Sequence, residues 1–343
     1  MVMETIKLGG FKLLQRGAQV AALLPTAEPC TVGAVCSPLA ESKINLTLLT
    51  YVCLHEYKWR SAAFCTEGSA GAASASLLGE QFSRVALSED VCTLSIFPHN
   101  NEPSITGTLL NTVTAQGIPV RGLASSPSAM SIIIPREHSE LAIASLFRPF
   151  HFPSYRSPAD WHAAYDGQQD RLEEIVARYQ EQVIRIYGVV ARRELDLWSA
   201  FVPAVEISSF ATVLASLDGS RYRLPFVVAL PISAEVLLSV CCFEGARSAE
   251  QQHIFLEEIP EGSWTHHGPV GGFSLHGPHF GDRHGIAKAV ADLLEQAHIP
   301  ILAMSCAVST ISAIVPEENL ARALQLIERC FEKPSLPPRQ KKT

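Results

Sequence analysis

The sequence lacks the features that mark membrane-spanning and secreted proteins. No apolar run in its 343 residues approaches the roughly eighteen needed to cross a bilayer. The start, MVMETIKLGGFKLL, has no cationic segment followed by a long apolar region, so we expect no secretory signal. With 47% hydrophobic and 18% charged residues, the composition is typical of a globular chain with an ample core. We therefore expect a cytoplasmic protein.

Signals for metal and nucleic-acid binding are also scarce. No C-x-x-C pair occurs among the nine cysteines, which argues against a disulfide framework or a structural zinc site. The net charge is −7 and the only basic cluster is the tail 337–343, so nucleic acid is not an expected partner. Five histidines fall close together but lack the spacing and acidic partner of a zinc enzyme. We expect no metal and no cofactor, although these histidines remain candidates for pH sensing or for contact with a ligand carboxylate. They are His266, His267, His276, His279 and His284.

Motifs of the common enzyme classes are absent as well. The sequence contains no G-x-S-x-G elbow, no Walker loop and no G-x-G-x-x-G after a strand. The glycine-rich segment Gly268–Gly272 precedes a predicted strand rather than a helix, and we interpret it as a flexible lead-in. We predict no catalytic residue and expect the chain not to be an enzyme.

The clearest pattern lies in residues 272–331, which predict one complete βαββαβ series. A strand of alternating polarity is followed by a loop rich in Pro, Gly, Asp and His. Ile286, Val290 and Leu294 then recur at helical spacing, and Pro300 ends that helix. Two apolar runs predict strands, and Pro-Glu-Glu after them begins a second helix with carboxylates where the helix dipole favours them. The predicted strands are 272–277, 301–306 and 310–315.

The same unit occurs a second time in the chain. A shift of 181 residues aligns two pairs of segments without a gap. Residues 84–150 are therefore predicted to form a second unit, in which Ser104 stands at the position of Gly285. The aligned segments are Gly117–Val120 with His298–Ile301 and Asn101–Ile105 with Asp282–Ile286.

Two other stretches repeat the order of elements more weakly, and each begins with a strand that ends at a proline, Pro25 or Pro203. The sequence therefore predicts an α+β fold of four βαββαβ units in two similar halves, with antiparallel sheets and helices on one face. The elements predicted for the weaker units are 18–24, 32–42, 46–54, 60–66 and 70–81, and then 195–202, 207–217, 226–230, 236–242 and 249–259.

A connector is predicted between the halves. Residues 151–168 have no periodicity, and an apolar stripe from Leu172 to Val183 then predicts a helix. We expect the chain to divide into unit 1 (1–82), unit 2 (83–150), a linker and connector helix (151–186), unit 3 (187–260), unit 4 (261–333) and a disordered tail (334–343).

Four motifs of unit 4 resemble those of the ACT domain, and most closely the ACT domains of aspartokinases. That family has a proline before the loop glycine, where this chain has His284. Four such units in one chain resemble the layout of the CASTOR-type arginine sensors, and also the regulatory region of aspartokinases doubled. The resemblance implies a ferredoxin-like fold for each unit. The motifs are Gly281–Ile286, His298–Ile301, Ser309–Ser312 and Val315-Pro316.

The resemblance also implies a ligand site between units. There the loop and helix start of one unit face the second strand of its neighbour, around Leu123–Ser126 and Met304–Cys306. Free N–H groups at a helix start suit a carboxylate, and Asp282 is a candidate acceptor for a ligand ammonium group. Simple helix capping by Asp282 and Asn101 is the alternative. The predicted ligand-binding residues are Asn100, Asn101, Ser104, Ile105, Ala124, Ser125, Ser126, Asp282, Arg283, His284, Gly285, Ile286, Met304 and Ser305.

By resemblance, the expected function is that of an amino-acid-binding sensor or regulatory protein. Lysine or threonine is expected by similarity to aspartokinases, and arginine by similarity to the CASTOR-type sensors. The signal would pass allosterically to a partner such as a kinase or a biosynthetic enzyme, and a homodimer through ACT sheets is a candidate assembly. Three alternatives remain open: an ACT scaffold or dimerisation module without a ligand, a stand-alone regulatory subunit of an aspartokinase, and an enzyme with an unfamiliar site on ferredoxin-like units.

Overall fold

The computed structural model describes residues 5–25, 31–54, 59–165, 186–244, 264–277 and 283–331. The strands of this part are β1 (Ile6–Lys7), β2 (Gly10–Pro25), β3 (Leu48–Val52), β4 (Trp59–Glu67), β5 (Arg84–Phe97), β6 (Gly122–Ser125), β7 (Met130–Pro135), β8 (Phe150–His151), β9 (Gly188–Pro203), β10 (Arg223–Pro231), β11 (Val236–Glu244), β12 (Thr265–His276), β13 (Ala303–Ala307) and β14 (Thr310–Pro316). Its α-helices are α1 (Val32–Glu41), α2 (Gly71–Gly79), α3 (Pro103–Thr114), α4 (Ser139–Leu146), α5 (Pro158–Tyr165), α6 (Ile207–Ser216), α7 (Ile286–Gln296) and α8 (Glu317–Cys330). None of these helices is both long enough and apolar enough to cross a membrane.

Twelve strands form one closed sheet. The first half contributes them in the order β3-β4-β2-β5-β7-β6, and the second half in the equivalent order β10-β11-β9-β12-β14-β13. The halves join where β6 pairs with β10 and where β13 pairs with β3, both antiparallel. The predicted fold of two similar α+β halves is therefore confirmed, and the closure of the sheet adds to it.

Neighbouring units share their long central strands. Gly10–Leu14 of β2 pair with Thr93–Phe97 of β5, and Gln19–Leu23 pair with Arg84–Ser88. The register is irregular between these two parts, and Arg16 lies in the break with a φ of 60°. One strand thus serves as the first strand of one unit and the last strand of the next. Strands β9 and β12 repeat the arrangement, again with an irregular register.

The predicted helices of the weaker units are confirmed within the described residues, but their first strands are longer than predicted. The helix predicted at 207–217 spans Ile207–Ser216, whereas β9 begins at Gly188 rather than at residue 195. The early part of this strand carries exposed and half-exposed residues on both sides of the register break, so its hydrophobic alternation is interrupted.

The expectation of a flexible lead-in at Gly268–Gly272 is wrong. These residues lie within β12, which pairs with β9 and β14. A Cβ atom added to Gly271 would lie 2.7 Å from the Cβ of Leu320 on α8. Glycine is needed here because a helix lies close against the strand, and not because the segment moves.

The core has an outer and an inner layer. Helix residues occur in two of the clusters of buried apolar residues, together with the strand residues that face outward. The other two clusters consist of residues in strands or next to them, and they fill the inside of the closed sheet. Helices therefore cover the outer face, as predicted.

The segment after unit 2 is more ordered than its composition suggests. Trp161 of α5 stacks on Phe11 of β2 with ring centroids 4.8 Å apart, and the Tyr165 hydroxyl donates to the carbonyl of Leu13 at 2.7 Å. The segment 158–165 is thus fixed against the first half. The predicted connector helix, the helix predicted at 249–259 and the predicted tail lie outside the described residues.

Candidate functional site

The loop of unit 2, residues 98–102, is seated on unit 3. The Asn101 carbonyl accepts a hydrogen bond from the Leu224 N–H at 2.7 Å, and the Asn100 carbonyl accepts one from the Arg223 guanidinium at 3.3 Å. Arg223 also lies 3.8 Å from the Glu102 carboxylate. Asn100 and Asn101 have φ angles of 54° and 58°, a conformation that asparagine tolerates better than most residues. The loop is therefore a joint between two units.

A buried histidine organises this loop from inside. His99 is fully buried, its Nε2 contacts the Ser126 carbonyl, and its Nδ1 accepts from the Asn101 N–H at 3.2 Å. Together the two contacts require a neutral ring with the proton on Nε2. Burial lowers the pKa of His99, and the Ser126 hydrogen bond opposes that shift. Sequence reasoning missed this residue because a single histidine after a strand gives no periodic signal.

The predicted serines are brought together, and they bind one another's backbone. The Ser125 Oγ accepts from the Val227 N–H of unit 3 at 2.7 Å. The Ser125 carbonyl accepts from the Ser305 hydroxyl of unit 4 at 2.8 Å. The Ser126 hydroxyl donates to the Ala129 carbonyl at 3.2 Å. These groups hold three units together at one point.

The helix start of unit 4 faces unit 1. Gly285 has a φ of 84° and precedes α7 without a side-chain cap among the described residues. A Cβ atom added to it would lie 3.8 Å from the Cβ of Ala40 on α1. At the other end of α7, the Glu295 carboxylate accepts from the Gly33 N–H at 3.0 Å, which satisfies the start of α1. Unit 4 and unit 1 therefore meet through two helix starts.

The loop of unit 4 is two residues longer than the loop of unit 2. Ser95 and Ser274 occupy equivalent places, each opposite a β-strand serine, and lie 179 residues apart. The core residues Ile105 and Ile286 lie 181 residues apart. The extra length falls in a segment that includes the predicted ligand residue Asp282, which lies outside the described residues.

Several other predicted residues belong to the core. Ile105, Ile286 and Met304 pack in the outer layer, and Ala124 lies inside the closed sheet. Ser104, Arg283 and His284 are half-buried around the two helix starts. The core positions were predicted as site residues because the motif includes the apolar residues that anchor the loop.

The structure places a weaker unit beside each clear one. The prediction set each loop opposite the second strand of its neighbour, around Leu123–Ser126 and Met304–Cys306. In the structure those two strand segments meet each other, while the unit 2 loop contacts Arg223 and Leu224 of unit 3. The difference arises because the edges that pair are β6 with β10 and β13 with β3.

The histidines of β12 have separate partners. His266 Nε2 lies 2.9 Å from the Asp196 carboxylate, and His267 Nε2 lies 2.6 Å from the Ser199 hydroxyl. Among the described residues, no group of His, Cys, Asp and Glu is arranged to hold a metal ion.

Buried thiols offer no reactive group. Burial raises the pKa of Cys36 to about 12, and the Glu295 and Asp292 carboxylates act in the same direction. Burial likewise raises the pKa values of Cys65 and Cys92 to about 12. Because the thiolate is the nucleophilic form, these side chains act as small apolar residues.

Comparison with known proteins supports the fold. Residues 270–329 match the ACT domain model, and no protein of curated function matches the sequence. The aspartate kinase from Synechocystis matches 96% of the chain with a TM-score of 0.75 and 13% identity. The chain corresponds to only 57% of the length of that kinase.

Two smaller structures match part of the chain. The regulatory subunit of aspartate kinase from Thermus thermophilus, in its ligand-free form, is 20% identical, and the match covers 42% of this chain and 99% of the subunit with a TM-score of 0.38. The corresponding subunit from Thermus flavus is also 20% identical, with 40% and 95% covered and a TM-score of 0.37.

The prediction that the chain is not an enzyme is contradicted by this comparison. The structure that matches almost the whole chain is an enzyme, aspartate kinase. The reasoning failed because the absence of familiar catalytic motifs describes the active sites of a few enzyme classes, while other parts of an enzyme carry no such motif. The chain has an ACT-type α+β fold like that of an aspartokinase.

Proposed function

We propose that the chain is an amino-acid-binding regulatory protein of four ACT units, divided as the sequence predicts, with its ligand between a clear unit and its weaker neighbour. The observation that carries the proposal is the seating of both helix starts on a neighbouring unit, Asn101 against Leu224 and Gly285 beside Ala40. A ligand at such a joint changes the relative orientation of two units, and a second surface can respond to that change.

Of the two joints, the one between units 4 and 1 suits a ligand better. Helix α7 lacks a side-chain cap among the described residues, and Gly285 has a positive φ. A carboxylate of an amino acid at this helix start would accept N–H groups and complement the dipole. The joint between units 2 and 3 instead uses its own hydroxyl and carbonyl groups for internal hydrogen bonds, which favours a scaffold role there.

Lysine or threonine is the ligand that the aspartokinase-like fold favours, and arginine is the alternative from the CASTOR-type layout. The output would reach an aspartokinase-type catalytic domain or a separate biosynthetic enzyme, and paired ACT sheets would support a homodimer. Eight cysteines of the described residues are free thiols, which supports a place in the reducing cytoplasm.

The proposal is tested by thermal unfolding of the purified chain with each of the twenty amino acids. At a hundred times Kd, a ligand specific for the native state adds about 2.7 kcal/mol of stability. We expect one or two amino acids to raise the melting temperature, and Gly285→Trp to abolish that rise.

Two matched variants separate binding from general damage. Gly285→Asn keeps a residue that tolerates positive φ and should retain part of the response. Gly79→Trp places the same bulk where no atom lies within 4 Å of the added Cβ and should retain all of it. If no amino acid stabilises the wild-type chain, the scaffold alternative is favoured instead.

A further inference from the structure

A pocket opens on the inner face of the closed sheet where units 2, 3 and 4 meet. It encloses about 360 Å³ including its open mouth, near the lower limit of small-molecule sites. We call it the lumen pocket. Its floor is formed by Leu195, Phe226 and Ile314, all of which are buried. The pocket lies apart from the start of α7, where the regulatory ligand is proposed.

The polar groups of the lumen pocket are of complementary kinds. Arg192 brings a guanidinium, which is only partly used by its ion pair with Glu244 on β11. Asn101 lines the pocket from unit 2, and its side-chain Oδ1 is buried without a hydrogen-bond partner. A buried acceptor of this kind costs about 1–3 kcal/mol, and a ligand that donates to it would recover that loss. Ser274 and Ser312 complete the wall, with their hydroxyls 2.8 Å apart.

Comparison of the two halves shows that the pocket is a local specialisation. Arg192 pairs with Gly272 between β9 and β12, and the equivalent pair in the first half is Leu14 with Thr93. A Cβ atom added to Gly272 would lie 2.9 Å from Leu195 and 3.1 Å from Ile314. The second half therefore has a cation where the first has an apolar side chain, and open space where the first has a β-branched one.

We propose that the lumen pocket binds a small α-amino acid with an apolar side chain, such as leucine. The carboxylate pairs with the Arg192 guanidinium, whose planar donors match it. The ammonium group donates to the Asn101 Oδ1, and the side chain rests on the apolar floor. Lysine and arginine are excluded because their charged ends would meet that floor without a partner. This site is independent of the loop site proposed above.

The test is isothermal titration of the full chain with L-leucine and with 4-methylpentanoate, which lacks the amino group. We expect saturable binding of leucine, at least tenfold weaker in Arg192→Met. Arg193→Met is the matched control, because Arg193 is exposed on the same strand and pairs with Glu317, and it should bind as the wild type does. Asn101→Leu should remove the preference for leucine over 4-methylpentanoate.

Further variants keep the result interpretable. If Arg192→Met does not fold, Arg192→Lys and Gly272→Val test the same pocket through donor geometry and through volume. Leucine binding that survives in Gly285→Trp separates this site from the loop site. No saturable binding of leucine, valine, methionine or phenylalanine would overturn the proposal, as would equal weakening in Arg192→Met and Arg193→Met.

Discussion

At the scale of single residues, His99 shows how a buried side chain ties the candidate site to pH. Its two ring nitrogens are used as a donor and an acceptor within the unit 2 loop. Protonation would place a second N–H against the Asn101 N–H and a charge in the core. The loop is therefore built for the neutral ring.

The first prediction concerns the pH dependence of stability. Burial lowers the pKa of His99, whereas an unfolded histidine takes up its proton near pH 6.5, roughly. Below that pH the unfolded state binds more protons than the folded state. The stabilisation is thus complete above about pH 6.5 and is lost as the pH falls towards the folded pKa, by at most about 1.4 kcal/mol per pH unit. Urea unfolding at pH 7.5 and 5.5 measures this loss.

His99→Gln provides the comparison, because glutamine stays neutral at both pH values. We expect its stability to depend less steeply on pH than that of the wild type. His151→Gln changes an exposed histidine and should keep the wild-type slope. An equal slope in the wild type and in His99→Gln would contradict the assignment.

At the scale of elements, the closest approach in the fold joins unit 2 to unit 3. A Cβ atom added to Gly107 of α3 would lie 2.2 Å from the Ala215 nitrogen and 2.4 Å from the Ala211 carbonyl oxygen of α6. The two helices are in backbone contact at this point, so neither can move away without opening the joint that seats the unit 2 loop.

The second prediction follows from that contact. Gly107→Ala should destabilise the chain by about 1–3 kcal/mol, the usual cost of overpacking, although alanine is the better helix former. Gly79→Ala in α2 is the control, because the added Cβ meets nothing within 4 Å. We expect it to be neutral or slightly stabilising in denaturant unfolding. Equal effects of the two substitutions would mean that α3 and α6 are not in close contact.

Elements were predictable from sequence where local signals agreed. Ile286, Val290 and Leu294 recur at helical spacing and are all buried in the structure, because one face of an amphipathic helix must meet the sheet. The shared strands were not predictable in the same way. A register break such as the one at Arg16 interrupts the alternation on which strand prediction depends.

The candidate site was predictable only in part, for a related reason. The motif located the two loops, but the partners of each loop are residues with no signal of their own, such as Leu224 and Ala40. The lumen pocket gave no sequence signal because Arg192, Asn101 and Gly272 come from three units and meet only when the sheet closes.

At the scale of the whole molecule, ring closure solves the problem of exposed strand edges. Either half alone would leave two edges unpaired, β3 and β6 in the first half. Such edges invite pairing with other chains. In the full chain each edge pairs with its counterpart from the other half, so that every strand of the closed sheet has two neighbours.

The last prediction tests this closure directly. Ala124 of β6 and Val228 of β10 are Cα partners across the junction, and both side chains lie inside the closed sheet. Directly opposed residues of antiparallel strands have Cβ atoms about 4.5–5.5 Å apart, close to the separation a disulfide requires. The double variant Ala124→Cys with Val228→Cys should form a disulfide on oxidation, identified by mass spectrometry of the linked peptides.

The control pairs the same Val228→Cys with Leu123→Cys. Leu123 is adjacent in sequence but packs in the outer layer, so its sulfur would lie on the opposite face of the sheet, since a one-residue step reverses the side-chain direction. This pair should stay reduced under the same oxidant. Equal yields would place the halves in a different register, and no link in either variant would mean that β6 and β10 do not close the sheet.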